Sequence, residues 1–292
     1  MNRNGVIVNK RSRSVGQHTQ PNDTTHADYC RDGFVVPRNQ LDHAQIGTIR
    51  DDMARVFAHQ MSACSLEPTS FADADGWRDN LCRLFDTDTN SYLAAARQCQ
   101  MLPSVHALGT NPAVLSLLNE IGLSEPAIST KPVCHFMTDH LHIPGGYHKA
   151  PPHQDWRSMQ GSLDGCVVWI PLSLTDENAY PVEVVPGSHK LGLLDTEPHV
   201  ATPMVVDPRI RAEDYVPVLM KPGDLAAFSG FLVHRTSEQG DDRVRLAISF
   251  RYNNLAEPTF VEHRYPLTCP PKSGPRRMFE SGAFLTLKED EE

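Results

Sequence analysis

The amino-acid sequence predicts a mainly β protein, a double-sheet jelly roll with α-helices packed on one side. Up to Gly122, apolar residues recur at spacings of three and four, which is the period of an amphipathic helix. After Gly122 the apolar runs become short, often alternate with polar residues and are separated by Pro, Gly and Asp, as expected of strands joined by turns. The 292 residues are enough for one large domain with helical additions.

The helical part follows a short extended piece at residues 34–37. Apolar residues at positions 46, 49, 53, 56, 57 and 61 predict a helix that opens at Leu41 and Asp42. Further helices are predicted over about residues 77–85 and 91–101. Asn111 supplies a capping side chain, and Pro112 suits the first position of a helix, so a last helix is predicted to run to Ile121.

Short runs rich in β-branched and aromatic residues predict the strands of the two sheets. These strands cover residues 132–141, 165–174, 181–185, 216–220, 225–228 and 245–252. The segments Pro-Gly-Ser at 186–188 and Lys-Pro-Gly-Asp at 221–224 have the composition of tight turns. The sequence therefore places helices first and a strand-rich core second.

Composition divides the chain into one domain with two ends. Residues 1–24 are rich in Asn, Arg, Ser, Gln and Thr without a sustained period, which predicts a flexible N-terminal tail. A single domain is expected over residues 25–275, followed by a C-terminal extension at 276–292 that is acidic at its end.

Charge and cysteine content exclude several classes of protein. The net charge of -9 argues against a nucleic-acid partner, because phosphate binding needs clustered Lys and Arg. Seven scattered cysteines without a Cys-x-x-Cys pair indicate reduced thiols, as in a cytoplasmic protein. No apolar run has the length of a signal peptide core or a membrane span, so no membrane partner is expected. The oligomeric state has no signal in the sequence.

One short motif carries the chemistry: His153-Gln154-Asp155, taken together with the distant His234. Two imidazoles and one carboxylate can hold a ferrous ion on one face and leave other positions open. If His153 and Asp155 lie on an extended segment, their side chains point to the same side and both can reach one ion. His26-Ala27-Asp28 is a second His-x-Asp pattern, but no matching motifs surround it, so we do not expect it to bind metal.

Several motifs occur in a fixed order between about residues 29 and 265. They are YCRDGFVV at 29–36, HQD at 153–155, WIPL at 169–172, VVPGSH at 184–189, KPGD at 221–224, His234 and Arg245. This ordered set resembles the phytanoyl-CoA dioxygenase family of Fe(II)- and 2-oxoglutarate-dependent oxygenases. The resemblance implies a double-stranded β-helix of the cupin-like type.

The resemblance also assigns roles to residues. It makes His153, Asp155 and His234 the catalytic iron ligands, and it places at Arg245 the arginine that pairs with the distal carboxylate of 2-oxoglutarate. A planar guanidinium holds a carboxylate through two parallel hydrogen bonds. Arg243 is the local alternative, because on a strand it would point the same way; the family spacing favours Arg245.

Two further residues match positions that contact 2-oxoglutarate in the family. Thr236 corresponds to a hydroxyl beside the same carboxylate, although a loop threonine can equally make a local backbone hydrogen bond. Trp169 corresponds to a tryptophan at the co-substrate, although a tryptophan in an apolar strand is also a good core residue.

The substrate residues are suggested only by their nearness in sequence to the iron pair. They are Tyr147, His148, Trp156 and Arg157. His189 belongs to a turn and is expected to be structural. The histidines at 135, 140, 142 and 148 are crowded, but we expect structural or substrate contacts for them rather than a second metal site.

The implied reaction uses Fe(II), O2 and 2-oxoglutarate to hydroxylate an unactivated C–H bond of a small molecule, in specialised metabolite biosynthesis. Asp155 stands where related halogenases have a small residue, which favours hydroxylation over halogenation; desaturation, epoxidation and ring formation remain open. The alternatives are a phytanoyl-CoA-type acyl hydroxylase, for which no basic CoA patch is evident, a jelly roll that binds metal or ligand without catalysis, and a metal-free interaction protein. Residues 176–181 depart from the family's usual Asn-Gly turn near the pocket.

Overall fold

A computed structural model describes residues 23–142, 149–199 and 202–266 of the chain. Its described α-helices are α1 (Asp23–Asp32), α2 (His43–Ala63), α3 (Ala74–Thr87), α4 (Thr89–Cys99), α5 (Pro103–Gly109), α6 (Pro112–Glu120), α7 (Trp156–Met159) and α8 (Pro258–Glu262). Most of them precede the strand-rich part, as predicted. No helix in this described part is long and apolar enough to cross a membrane.

The caps and apolar stripes explain where these helices begin. The Asp42 side chain accepts a hydrogen bond from the Ala44 N–H at the start of α2. The Asn111 side chain accepts one from the Ala113 N–H at the start of α6, where Pro112 is the first helical residue.

The sequence did not predict α1 or α5. Tyr29 is the one buried hydrophobic residue of α1, and α5 has only seven residues, so neither has a readable apolar period. Asp23 and Thr24 belong to α1 rather than to a tail.

The strands form two facing sheets and a small ribbon. They are β1 (Phe34–Val35), β2 (Pro126–Ile128), β3 (Val133–Met137), β4 (Cys166–Pro171), β5 (Val182–Val184), β6 (Thr196–Glu197), β7 (Met204–Val205), β8 (Val216–Val218), β9 (Ala226–Ser229), β10 (His234–Thr236) and β11 (Arg245–Asn254). The larger sheet has the order β1-β9-β4-β11-β2, with β3 also paired to β11, and the smaller one has the order β10-β5-β8. The predicted jelly roll with N-terminal helices is confirmed.

The two central strands of the larger sheet, β4 and β11, are covered on both faces. Val168 and Ile248 pack into the cluster formed with the helices, whereas Trp169 and Ala247 pack toward the smaller sheet. This double burial explains why both strands are nearly continuous apolar runs. Because side chains alternate along a strand, residues 245, 247, 249 and 251 of β11 share the face between the sheets.

Candidate metal centre

Three buried side chains converge between the two sheets. His153, Asp155 and His234 are 8%, 5% and 6% exposed, and one potential ligand atom from each lies within 4.8 Å of the others. The Asp155 carboxylate oxygens are 3.7 Å from Nε2 of His153 and 3.8 Å from Nε2 of His234. These distances exceed those of hydrogen bonds, so the three groups face a common centre without bonding one another.

The backbone places the two histidines side by side. His153 forms an isolated antiparallel bridge to His234 at the start of β10, with N–H to O distances of 2.9 and 3.1 Å. Asp155 is not on an extended segment, so the condition considered from the sequence is not met. Its φ of -67° and ψ of -24° are helical, and it is the N-terminal cap of α7. The chain turns after Gln154, and the Asp155 carboxylate lies within 4 Å of Nε2 of both imidazoles.

Backbone carbonyls fix the orientation of both imidazoles. Nδ1 of His153 lies 2.8 Å from the Pro151 oxygen, and Nδ1 of His234 lies 2.9 Å from the Leu232 oxygen. A carbonyl only accepts, so each Nδ1 carries the proton and each Nε2 presents its lone pair to the centre. Burial lowers the pKa of His153, and burial beside His153 lowers the pKa of His234 to about 3. Both rings are therefore neutral, the form that binds a metal ion.

Asp155 is ionised although it is buried. Burial raises its pKa, but this is outweighed by the combined effect of its neighbours: the Arg251 guanidinium, whose Nη2 donates to Asp155 Oδ1 at 3.0 Å, and the imidazoles of His234 and His153. The pKa of Asp155 therefore lies well below the usual carboxyl value. The centre thus offers one anionic oxygen donor and two neutral nitrogen donors.

This donor set fits a ferrous ion. Two atoms that each lie about 2.1 Å from one ion can be at most about 4.2 Å apart, and the separations of 3.7 and 3.8 Å fall within that limit. Two imidazoles and one carboxylate on one side of an ion are typical of non-haem iron oxygenases.

Arg245 lies in the same cavity as the cluster and is 2% exposed. Its Cζ is 5.5 Å from the centroid of the Trp169 ring, and its Nη1 donates to the backbone oxygen of Tyr180. Arg243 precedes β11 and bonds the carboxylates of Asp176 and Asp241. Of the two arginines, the structure brings only Arg245 into the cavity.

Thr236 and Trp169 also line this cavity. The Thr236 hydroxyl accepts a hydrogen bond at 3.3 Å from the N–H of Ala150, which is 86 residues away in the chain, so this bond is not the local backbone contact considered from the sequence. Trp169 belongs to the apolar cluster between the sheets and presents its ring to Arg245. For Trp169, the position in the core and the position at the cavity are therefore compatible.

Sequence reasoning missed several residues that line the cavity, among them Arg251 and Ser249, and it did not assign His135 to the site. The first two share a face of β11 with Arg245, so alternation could have found them. His135 Nε2 lies 3.0 Å from the Ser249 hydroxyl oxygen. Desolvation, followed by the positive charges of Arg245 and Arg251, lowers the pKa of His135 to about 3, so it is neutral.

Of the suggested substrate residues, the two that the structure describes, Trp156 and Arg157, do not lie at the centre. The Trp156 indole donates to the Ser162 oxygen at 3.2 Å and stacks on Phe231, and Arg157 donates to the Leu194 oxygen. Neither residue lines the metal cavity. Tyr147 and His148 lie outside the described residues.

Other histidines that were considered as metal ligands from the sequence make local or surface contacts instead. Asp28 pairs with Arg31, and His26 Nε2 lies 3.5 Å from the Cys30 sulfur. His140 pairs with Asp86 at the surface. Among the described residues, the 153–155–234 group is the one cluster with the spacing of a metal site.

A double-stranded β-helix with a buried His-Asp-His cluster and an arginine in the same cavity is typical of non-haem iron enzymes that use 2-oxoglutarate. The phytanoyl-CoA dioxygenase (PhyH) family profile matches residues 29–246. The chain belongs to this family of Fe(II)- and 2-oxoglutarate-dependent oxygenases, which confirms the resemblance seen in its motifs. Iron and 2-oxoglutarate are accordingly its cofactor and co-substrate.

Solved structures share the fold at low sequence identity. The epimerase SnoN, in complex with Fe3+, alpha-ketoglutarate and nogalamycin RO, is 19% identical with a TM-score of 0.56, covering 90% of this chain and 95% of SnoN. EctD from S. alaskensis, with 2-oxoglutarate and 5-hydroxyectoine, is 14% identical with a TM-score of 0.53, covering 84% and 80%. The carbocyclase SnoK from nogalamycin biosynthesis is 16% identical with a TM-score of 0.51, covering 78% and 82%. A search of curated proteins found no match.

Proposed function

We propose that the protein is an Fe(II)- and 2-oxoglutarate-dependent dioxygenase that hydroxylates an unactivated C–H bond of a small molecule in specialised metabolite biosynthesis. The observation that carries this proposal is the convergence of His153, Asp155 and His234 in a cavity that also contains Arg245. Nogalamycin biosynthesis, named for two of the similar structures, supports the biosynthetic setting.

His153, Asp155 and His234 would hold the iron, which when bound supplies the oxygen-activating chemistry. The carbonyls of Pro151 and Leu232 keep both histidines in the tautomer that presents Nε2. The protein's contribution is thus a fixed set of three donors.

Arg245 is the residue proposed to bind the distal carboxylate of 2-oxoglutarate. It is a buried guanidinium that lines the metal cavity, and its planar donors match the geometry of a carboxylate. Thr236 offers a hydroxyl in the same cavity, and Trp169 gives Arg245 an aromatic wall that excludes water. Together these residues orient the co-substrate relative to the metal.

Asp155 bears on the type of reaction. Its carboxylate is present, ionised and held by Arg251, so all three protein ligands are available to the iron. This favours hydroxylation over halogenation, in which a halide takes the place of the carboxylate.

The test is an anaerobic titration of the protein with ferrous iron and 2-oxoglutarate, following the weak visible band of the iron–2-oxoglutarate chelate. Wild type should give the band. Arg245→Ala should weaken 2-oxoglutarate binding by about 10- to 100-fold, because a charge-assisted hydrogen-bonded contact is lost. Arg243→Ala is the matched control and should bind normally. Iron binding without the band in wild type would refute the proposal.

A further inference from the structure

A second cavity lies between α4 and β3, next to the metal cavity. Its volume is about 260 Å³, and its walls include Tyr92, Leu93 and Ala96 from α4 and Phe136 from β3. These side chains are apolar or aromatic, so the space suits an apolar group.

One residue links this cavity to the metal centre. His135 lines both cavities. It lies on β3, which pairs only with β11 among the described strands, and its Nε2 is held 3.0 Å from the Ser249 hydroxyl oxygen. A molecule in the α4–β3 cavity therefore lies against β3, the strand that also carries the His135 imidazole into the wall of the metal cavity.

Two polar side chains at the C-terminal end of α4 complete the cavity: Arg97 in the last turn and Gln100, the C-terminal cap. The Gln100 side-chain oxygen is buried and has no hydrogen-bond partner among the described residues, a state that costs about 1–3 kcal/mol unless a donor reaches it. Arg97 is exposed and lines the cavity. The two residues are three positions apart on a helix, so their side chains are neighbours.

We propose that the α4–β3 cavity binds the substrate of the reaction proposed above, and that this substrate is an apolar molecule whose head carries a carboxylate next to a hydrogen-bond donor, as in an α-hydroxy acid. Arg97 pairs with the carboxylate, and the Gln100 oxygen accepts from the adjacent hydroxyl. The apolar part packs on Tyr92 and Phe136 and extends toward His135. This inference rests on the proposed function.

Three indole compounds separate the contributions of the head. Indole-3-lactate has the carboxylate and the hydroxyl, indole-3-propionate lacks the hydroxyl, and indole-3-ethanol lacks the carboxylate. Their binding is measured by calorimetry on the anaerobic iron-loaded protein with saturating 2-oxoglutarate, so that Arg245 is already occupied. Indole-3-lactate should bind most tightly and should shift the visible band of the iron–2-oxoglutarate chelate.

Substitutions then locate the site. Arg97→Gln should weaken indole-3-lactate binding by about tenfold and leave indole-3-ethanol binding unchanged, whereas Arg55→Gln on α2 should change neither. Gln100→Leu should remove the preference for indole-3-lactate over indole-3-propionate, and Gln98→Leu, at an exposed position of the same helix, should keep it. Ala96→Trp should fill the cavity and abolish binding of all three compounds.

Several results would overturn the proposal. The proposal fails if wild type does not bind indole-3-lactate, or if this binding is lost when 2-oxoglutarate saturates Arg245. It also fails if Arg97→Gln binds indole-3-lactate as tightly as wild type does, or if indole-3-lactate binds without changing the visible band. If the chelate band forms but indole-3-lactate does not bind, only this inference fails. If the band itself does not form, the proposed function fails.

Discussion

Arg251 Nη2 donates a hydrogen bond to Asp155 Oδ1 at 3.0 Å, and it does so from β11, ninety-six residues further along the chain. The Arg251 side chain is 14% exposed and that of Asp155 is 6% exposed. The guanidinium occupies one carboxylate oxygen and leaves the other, which is 3.8 Å from Nε2 of His234, directed at the centre. Arg251 therefore positions Asp155 without being a metal ligand.

Replacing Arg251 with Met should lower iron affinity or 2-oxoglutarate turnover by about 10- to 100-fold, because partners that orient a metal ligand typically contribute this much. Arg251→Lys should recover part of the loss, since it restores the charge but not the planar donor geometry. Iron titration and succinate production measure both effects. Arg243→Met is the matched control, and equal behaviour of the Arg251 and Arg243 variants would contradict the positioning role.

Much of this centre could be predicted because it depends on patterns that survive in the sequence. The helix and strand periods gave the layered architecture, and the ordered motifs placed His153, Asp155 and His234. The position of Arg251 could also have been predicted, because it lies six residues after Arg245 on the same strand and therefore on the same face. The pairing of Arg251 with Asp155 could not have been predicted, since only the fold brings these two residues together.

Local backbone conformation was the harder part. The helical φ and ψ of Asp155 have no signature in a short Gln-Asp-Trp segment. Tyr180 has a φ of +48°, in the region where the family's usual Asn-Gly turn would be comfortable and a tyrosine is not. Packing of its ring and the hydrogen bond from Tyr180 N–H to the Gln239 oxygen hold this conformation, and neither contact can be read from neighbouring residues.

His153→Ala should abolish 2-oxoglutarate turnover and the visible chelate band, because it removes one of three donors from the centre. His26→Ala, in the other His-x-Asp pattern, should leave both unchanged. Thermal unfolding should show that each variant still folds, so that loss of activity reports on the metal site. Turnover by His153→Ala at the wild-type rate would contradict the assignment of the iron ligand.

Gly240→Ala should destabilise the protein by about 1–3 kcal/mol, because a methyl group there collides with the Tyr180 ring. The displaced loop includes the Tyr180 oxygen that accepts from Arg245, so 2-oxoglutarate binding should weaken as well. Gly47→Ala is the matched control. Nothing lies within 4 Å of its added methyl group, and alanine in this helix should stabilise by about 0.5–1 kcal/mol. Unfolding curves and 2-oxoglutarate titrations distinguish the two outcomes.

Asp224 should make stability depend on pH in a defined direction. Burial would raise its pKa, but hydrogen bonds from the Lys221 and Asn39 N–H groups and from Arg38 more than offset this, so the pKa is lowered on folding. A carboxyl whose pKa falls on folding contributes stability that is fully present above its unfolded pKa of about 3.9 and is lost as the pH drops through the folded value. Asp224→Asn should therefore lower the free energy of unfolding by about 1–3 kcal/mol at pH 7 and by progressively less below about pH 4.

Denaturant unfolding at pH 7 and pH 3 measures this difference. Asp214→Asn is the control, because Asp214 forms an exposed ion pair with Arg211, and it should change stability little at either pH. An equal cost of Asp224→Asn at pH 7 and pH 3 would mean that the charge of Asp224 does not stabilise the turn.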